Sequence, residues 1–478
     1  MTLKGYTVEN PIDILTEDQI ERIHHTTLEI LEQTGARFEQ EKALEVLDDA
    51  GCMVDHEDQM VRFPPALVED CIGKCPSSFV YRAREAKNNV RMGGNRVYFG
   101  PWVAMNKGNP ETGDRIRPTR QQAAEAVRIV DALDRVHFGY GVYFDLRDVD
   151  PIMQIPTKQA ISMRNSSKLG FGLTDYDCDI WEIKMAQATN QELVGGPTCS
   201  PPLTWSKGVM DSVFRYLEVG FPIWPMGGQN YGATSPATLA GSLALNNAET
   251  LSMLVLVQVV NPGNRFLAYN YSQPLSMRTG QPLFGAIEKG INGMAFAQLY
   301  RHYGIPRGAL NSSDSKTADY ECGYEKGMTT LLNALSGNNF ISVGGGVYDE
   351  LTWSPEVLVM DNDVFGMIGR VIEGIEVTDE TLAVDLITET GPIPGHYLTK
   401  AHTRKWWMHE LFMPDIPDRR SHQEWLEAGS RTNLERARER VEEILATHQP
   451  TPLTEDQDKA IDEILEEARS YFKERGML

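Results

Sequence analysis

The chain has 478 residues, of which 41% are hydrophobic, and carries 67 acidic against 45 basic side chains for a formal net charge of −22. That length suits one large barrel with extensions or two to three ordinary domains, and the apolar content excludes extensive disorder. So acidic a chain repels phosphate backbones and anionic lipid, which argues against nucleic acid and membrane surfaces as partners. The balance fits a small cationic or zwitterionic ligand, or solubility alone.

The opening Met1-Thr-Leu-Lys-Gly-Tyr6 shows no apolar signal core and no transit-peptide bias. The longest apolar run, 251–260, contains Gln258 and is far too short for a bilayer. The expected location is cytoplasmic. Six scattered cysteines, Cys52, Cys71, Cys75, Cys178, Cys199 and Cys322, then read as buried reduced thiols, with no two pairs at zinc-ribbon spacing. The first predicted element is a helix after Thr16-Glu-Asp-Gln19, a capping box whose side chains satisfy orphan backbone N–H groups. Ile20, Ile23, Ile30 and Leu31 share one face, and Gly35 closes it. The letters Leu-Thr-Glu-Asp-Gln recur at 453–457, where a second helix with the same cap chemistry explains them without a domain repeat. Residues 1–95 read as short helices and strands, Met60-Val-Arg-Phe63 and Ser78-Phe-Val-Tyr81 among them, forming an extension packed on the larger unit that begins at 96.

From 96 to 375, β-rich runs alternate with amphipathic helices. Strands are predicted at 96–99, 137–144, 169–173, 195–199, 222–227, 265–269, 307–311 and 340–343. Helices are predicted at 120–133, 179–191, 207–219, 236–259, 286–303 and 320–335, the last stopped by Gly337. Eight such units make the length of a (β/α)₈ TIM barrel, the predicted fold class. A doubly wound open sheet is the competing architecture, weakened because no glycine-rich dinucleotide turn follows the first strand. Residues 376–478 are predicted as a mainly helical extension. In it, 397–425 is expected to fold back over the barrel. Charged helices at 433–447 and 454–475 are expected to cover the barrel base or build an oligomer contact.

Barrel chemistry sits at the carboxyl ends of the strands, so the residues after each strand are the candidates. They are aromatic and polar-neutral: Tyr98, Phe99 and Trp102; Tyr140, Tyr143 and Phe144; Asp175 and Tyr176; Gln229, Asn230 and Tyr231; Tyr269 and Tyr271; Ser312, Asp314 and Lys316; Tyr348. Tyrosines clustered around a neutral cleft suit a quaternary ammonium ion, which donates no hydrogen bond and is held by ring faces; ordinary core packing is the alternative. Gly344, Gly345 and Gly346 either allow a tight turn or let a large planar ligand approach the backbone. Asp314 and Lys316 are a local cap with a solvated charge, or a substrate anchor. The sequence lacks His-x-His on a strand, His-Glu-x-x-His, Gly-x-Ser-x-Gly and a Walker loop, and no metal of the protein's own is expected. Asp145, Asp175 and Asp314 keep a paired-carboxylate hydrolase or lyase open. His396, His402, His409 and His422 fit no metal spacing.

The stretch Ser312-Ser-Asp-Ser-Lys-Thr-Ala-Asp-Tyr-Glu-Cys-Gly-Tyr-Glu-Lys326 resembles the trimethylamine:corrinoid methyltransferase superfamily. So do Leu331-Leu-Asn-Ala-Leu-Ser-Gly-Asn-Asn-Phe-Ile341, Asp361-Asn-Asp363, and the tail segments Gly395–Arg404 and Glu410–Asp415. The resemblance implies a barrel enzyme that passes a methyl group from a methylated amine to the cobalt of a separate corrinoid (cobalamin) protein. Founding members carry pyrrolysine, whereas only the twenty common residues stand here. That points to the non-pyrrolysine branch, known for glycine betaine, proline betaine and carnitine. The chemistry agrees: a quaternary amine leaves as a neutral tertiary amine and needs no general acid, so the protein's task is to orient one methyl group in a dry, cation-friendly pocket. The resemblance implies Tyr98, Phe99, Trp102, Tyr143, Tyr231, Tyr269, Tyr271 and Tyr348 as cage or corrin-facing residues, with Gly344–Gly346 toward the corrinoid. Gln229, Asn230 and Asp314 become polar contacts, and Lys316, Arg307 or His402 the donor for a betaine carboxylate. The expected partners are a quaternary amine, a cognate corrinoid protein and further copies of the chain. A non-catalytic betaine-binding protein is the rival that keeps the pocket but not the reaction.

Overall fold

The computed structural model describes residues 3–143, 145–174, 177–348 and 351–478. Thr16 caps the helix Glu17–Gln33 as its sequence requires: the hydroxyl accepts the Gln19 N–H and the Gln19 side chain accepts the Thr16 N–H. Thr454 repeats the device at Glu455–Glu474. The buried face of the first helix, Ile20, Leu28 and Leu31, joins the largest apolar core and packs on Leu239–Val260. The strands Ala36–Phe38, Met60–Arg62 and Met53–Asp55 form a small sheet with Thr204–Trp205, so the N-terminal part is stitched to the segment beyond it by backbone pairing.

A mixed α/β wall comes next. The strands Arg96–Pro101, Phe340–Gly344, Arg307–Leu310, Ala268–Asn270, Met226–Gly227 and Thr198–Cys199 pair in that order, all parallel, with Tyr6–Thr7 antiparallel on Arg96–Pro101. Gly172–Leu173 pairs in parallel with Gly195–Gly196. Pairing runs on past both sheet edges through bridges Gly195↔Ile223 and Phe138↔Leu169, and through the His137 N–H to the Phe99 carbonyl at 2.8 Å. Helices Arg120–Ala132, Gln154–Asn165, Cys178–Ala188, Lys207–Glu218, Leu239–Val260, Ile287–His302, Tyr320–Leu335 and Pro355–Glu373 alternate with these segments. The segment expected as a strand at 137–144 makes only isolated bridges among its described residues, and several other strands shrink to two residues. Leu239–Val260 is long and apolar enough to cross a bilayer, yet 83% of its apolar window is buried inside the protein.

The last two helices lie outside the wall helices. Asn433–Thr447 packs on Arg120–Ala132 and Pro355–Glu373, while Glu455–Glu474 packs on Gln154–Asn165 and Cys178–Ala188. Phe472 is fully buried there, edge-on to Trp181 at 6.3 Å, and Arg164 holds Asp458 and Asp462 at 2.6 Å each. Between the wall and these helices, Asp379–Leu382, Val384–Thr390 and Ala401–Glu410 bury no residue. The expected return onto the wall begins at Glu410, whose carboxylate accepts from Arg370 at 2.8 Å, and runs through Phe412 beneath Arg135 to Asp363, which accepts the Asp415 and Ile416 N–H groups. Emptying the Phe472 site leaves a cavity, so Phe472→Ala is expected to cost roughly 3–5 kcal/mol in urea denaturation. Glu474→Ala, on the exposed face of the same helix, is expected to stay within about 0.5 kcal/mol of the unaltered protein.

Candidate active site

Side chains alternate along a strand, and that parity decides which aromatic residues face the inner side of the wall. Tyr98 faces inward, edge-on to His137, whereas Phe99 points out and stacks on Phe365 at 4.5 Å. Phe340 and Ser342 face in, Ile341 and Val343 out. Phe138, Phe340, Trp224 and Tyr269 fill the interior with ring centroids 4.2 to 4.8 Å apart between successive pairs. Gly100 and Gly308 make room: a Cβ on Gly100 would lie 2.6 Å from the Phe340 ring, and one on Gly308 2.8 Å from the Tyr269 ring. The hairpin Ser78–Tyr81 with Val90–Gly93 adds Tyr81, Val90 and Met92 to the same cluster.

On this packed floor, residues beyond the strand ends form an aromatic arc. Trp102 and Tyr271 lie 5.7 Å apart at a shallow 32°, and Phe284 meets Tyr271 edge-on at 6.4 Å. Gly228 abuts the Tyr271 ring, and Gly346 faces the Ser312 hydroxyl and Trp102. Trp102 and Tyr271 are half-buried. The Trp102 Nε1–H and the Ser312 Oγ are buried without a hydrogen-bond partner among the described residues. Lys289 is buried behind the arc, its ammonium 5.0 Å from the Phe284 ring and 5.9 Å from that of Tyr271, donating to the Ser272 carbonyl at 3.1 Å.

Buried polar side chains from the surrounding helices hold these strand ends. Lys326 donates to the Gly346 carbonyl and to Asp361, whose carboxylate accepts the Gly345 N–H at 2.7 Å. Glu249 accepts the Leu203 N–H at 2.8 Å, and Glu182 accepts that of Leu173 at 2.9 Å. Burial raises the Glu249 carboxyl to about 7, against the opposing pull of the Leu203 N–H and of Gln229. Burial likewise pushes Glu182 up and its neighbour Lys158 down, driving both toward neutrality. Among the described residues the arrangement offers ring faces, two free donors and a buried cation, while the carboxyls of Asp361, Glu249 and Glu182 are held in the structure rather than presented.

The family model for trimethylamine methyltransferase (MTTB) matches residues 4–471. The chain belongs to the MTTB family. It is therefore a methyltransferase. It is 31% identical to a glycine betaine methyltransferase of Desulfitobacterium hafniense (strain Y51), over 97% of each chain. It is 30% identical to the trimethylamine methyltransferase MttB of the same species (strain DSM 10664 / DCB-2), over 96% of this chain and 94% of that one. Among solved structures it resembles the monomethylamine methyltransferase MtmB of Methanosarcina barkeri, with a TM-score of 0.55, 12% identity, and coverage of 98% of this chain and 90% of that one.

For this MTTB member, the expected site residues divide. Trp102, Tyr271 and Gly346 come together at the arc. Tyr98 and Tyr269 belong to the floor beneath it, and Phe99 and Tyr143 face the outer core, Tyr143 edge-on to Trp353 at 5.5 Å. Gly344 and Gly345 face the outer core: a Cβ would lie 2.6 Å from Leu358 or 2.1 Å from the Trp353 indole, so close packing explains both. Gln229 is fully buried, Tyr231 is buried with no partner for its hydroxyl among the described residues, and Asn230 accepts from Gln273 at 2.8 Å. Asp314 accepts the Phe284 N–H at 2.6 Å and so sets that ring. Lys316 and Arg115 already lie over the Tyr348 ring at 5.1 and 4.6 Å. His402 bonds the Glu380 carbonyl within the exposed helical segment, and Arg307 begins its strand, at the end away from the arc. Asp145 is paired with Arg117 at 2.6 Å. Phe144, Asp175 and Tyr176 lie outside the described residues.

Phe284, Ser312 and Lys289 are the members that strand-end reasoning underweighted or missed. Lys289 did carry a signal: a cation in the first turn of a helix opposes the macrodipole and needs another reason to be there. The raised Glu249 carboxyl fixes a pH dependence. Its contribution to stability is complete below the pKa of an unfolded glutamate and is lost as pH rises through about 7. Glu249→Gln, which keeps an acceptor for Leu203, is thus expected to raise the melting temperature at pH 8 by roughly 2–5 °C. At pH 5 it is expected to change little. Thermal melts of both proteins at the two pH values check this, and an equal effect at both would refute the assignment.

Proposed function

We propose that this enzyme takes a methyl group from a quaternary amine, glycine betaine above all with dimethylglycine as product, and passes it to the cobalt(I) of a corrinoid carried by a separate protein. The observation that carries the reading is the arc of Trp102, Tyr271 and Phe284 beside the unpartnered Ser312 hydroxyl. A trimethylammonium group has no N–H to donate and is held by ring faces. Ser312 Oγ and Trp102 Nε1, costly to bury unpaired, are donors for the substrate carboxylate. The corrinoid supplies the nucleophile; the chain's residues bind the amine, exclude water and hold one methyl group outward. The N–CH₃ bond breaks with its electron pair left on nitrogen, so the leaving amine is neutral and no proton is required of the protein. Gly346 is the glycine of its triplet left facing the arc, and so the one we assign to the corrinoid side.

The wall we read as a (β/α)₈ barrel over 96–375, with 1–95 and 376–478 as extensions in a cytoplasmic protein. Support comes from parallel pairing that runs on past both sheet edges, with helices alternating along the chain. We further propose a homo-oligomer. Ile375, Val377, Ile393, Leu398 and Met408 are 67 to 94% exposed on a segment whose short helices bury nothing of their own. Helices that short are not stable unpacked, and so apolar a surface marks an interface.

Mixing the protein with glycine betaine and reduced cobalamin is expected to yield dimethylglycine by mass spectrometry, with a matching change in the cobalamin spectrum. Ser312→Ala is expected to raise the KM for glycine betaine about tenfold or more, the loss of a charged-group hydrogen bond. Absence of product from every betaine tried sinks the reaction. Sedimentation equilibrium tests the assembly: a species larger than the monomer is expected, and Leu398→Asp with Met408→Asp is expected to dissociate it.

A further inference from the structure

A cavity of about 550 Å³ opens at the other end of the wall, where the strands Arg96–Pro101 and Arg307–Leu310 begin. Its lining includes four arginines, Arg91, Arg96, Arg301 and Arg307, with Ser77 and Ser78, and no acidic residue among the described residues. In a chain where acids outnumber bases 67 to 45, such a lining is against the composition. Arg301 is paired with Asp13, but Arg91, Arg96 and Arg307 have no carboxylate partner among the described residues.

Arg307 is the most constrained of them. It is 3% exposed, its Nη2 donates to Asn95 Oδ1 at 3.3 Å, and its Nε has no partner among the described residues. The space behind it is closed, since a Cβ on Gly337 would lie 3.1 Å from Nη2. Burial, with Arg301 alongside, pulls its pKa down to about 9, still charged at neutral pH. A buried charge with no counter-charge is costly, and a fold that keeps one beside an open cavity has left room for the counter-charge to come from outside.

We propose that this cavity is an anion site for a phosphoryl group, either inorganic phosphate or the phosphate of a small metabolite ester. Three unneutralised guanidinium groups exceed what one carboxylate balances, and their planar forks match the several oxygens of a tetrahedral dianion. The lining spans Thr7 and the Ser78–Tyr81/Val90–Gly93 hairpin on one side and the wall strands on the other, so the bound anion fastens the N-terminal part to the wall.

The test is equilibrium dialysis with radiolabelled phosphate, together with thermal melts at constant ionic strength in chloride, acetate, phosphate and ribose 5-phosphate. Saturable one-to-one phosphate binding is expected, with a melting-temperature rise that chloride and acetate do not give. Tighter binding of ribose 5-phosphate assigns the site to an ester, and equal or weaker binding to free phosphate. Arg91→Gln with Arg96→Gln, outside the buried core, is expected to weaken phosphate binding at least tenfold. Arg307→Met is expected to abolish it while melting no lower than the unaltered protein in phosphate-free buffer. If Arg307→Met does not fold, the Arg91/Arg96 double variant decides alone. Phosphate indistinguishable from chloride or acetate, or unchanged affinity in that double variant, overturns the proposal.

Discussion

Strands of two residues cannot fix the loops beyond them by backbone pairing alone, and here buried polar side chains on the outer helices do that work. Lys326 and Asp361 take the carbonyl of Gly346 and the N–H of Gly345. Glu249 and Glu182 take the N–H groups of Leu203 and Leu173. Asn246 reaches Ser272 and Asn270, Asn292 accepts from Asn270, and Asn333 donates to Asn311. Each group is expensive to bury unless satisfied, so each contact specifies one position for a loop whose own geometry would allow several. The aromatic arc is accurate because its supports are polar.

Helices were legible in the sequence because their signals are local. Thr16 and Thr454 each sit where a capping box predicts a start, and Gly337 stops its helix in the left-handed conformation. Strands were legible as places more than as extents. The run at 137–144 reads as a strand, yet Gly139 and Gly141 face close neighbours, Ser166 and Lys158, where no side chain fits, and only isolated bridges form. Parity was available but unused: Tyr98 and Phe99 are adjacent on one strand and cannot both face inward. Phe284 was out of reach, because it stands in a long loop and is brought to Tyr271 by the Asp314 carboxylate and by the Leu283 N–H bonded to the Pro274 carbonyl.

The two ends of the wall carry opposite chemistries within one acidic chain. One end is aromatic, with its charges pulled back behind the strand ends. The other gathers guanidinium groups around open space. Burial acts on both: it drives Glu249 and Glu182 toward their neutral forms, whereas arginine keeps its charge and must find an external partner.

The rings of Phe138, Trp224, Phe340 and Tyr269 occupy the inner side of the wall, and the Ser78–Tyr81/Val90–Gly93 hairpin adds to them from below. A ligand on the arc is thus cut off from the other end of the wall by these rings, and in the proposed reaction the open side of the arc is its doorway. In the proposed reaction the amine, the spent amine and the acceptor protein all queue at that doorway. Traffic there has a fixed order: the amine is seated before the acceptor covers the entrance, and its remnant departs only after the acceptor has gone.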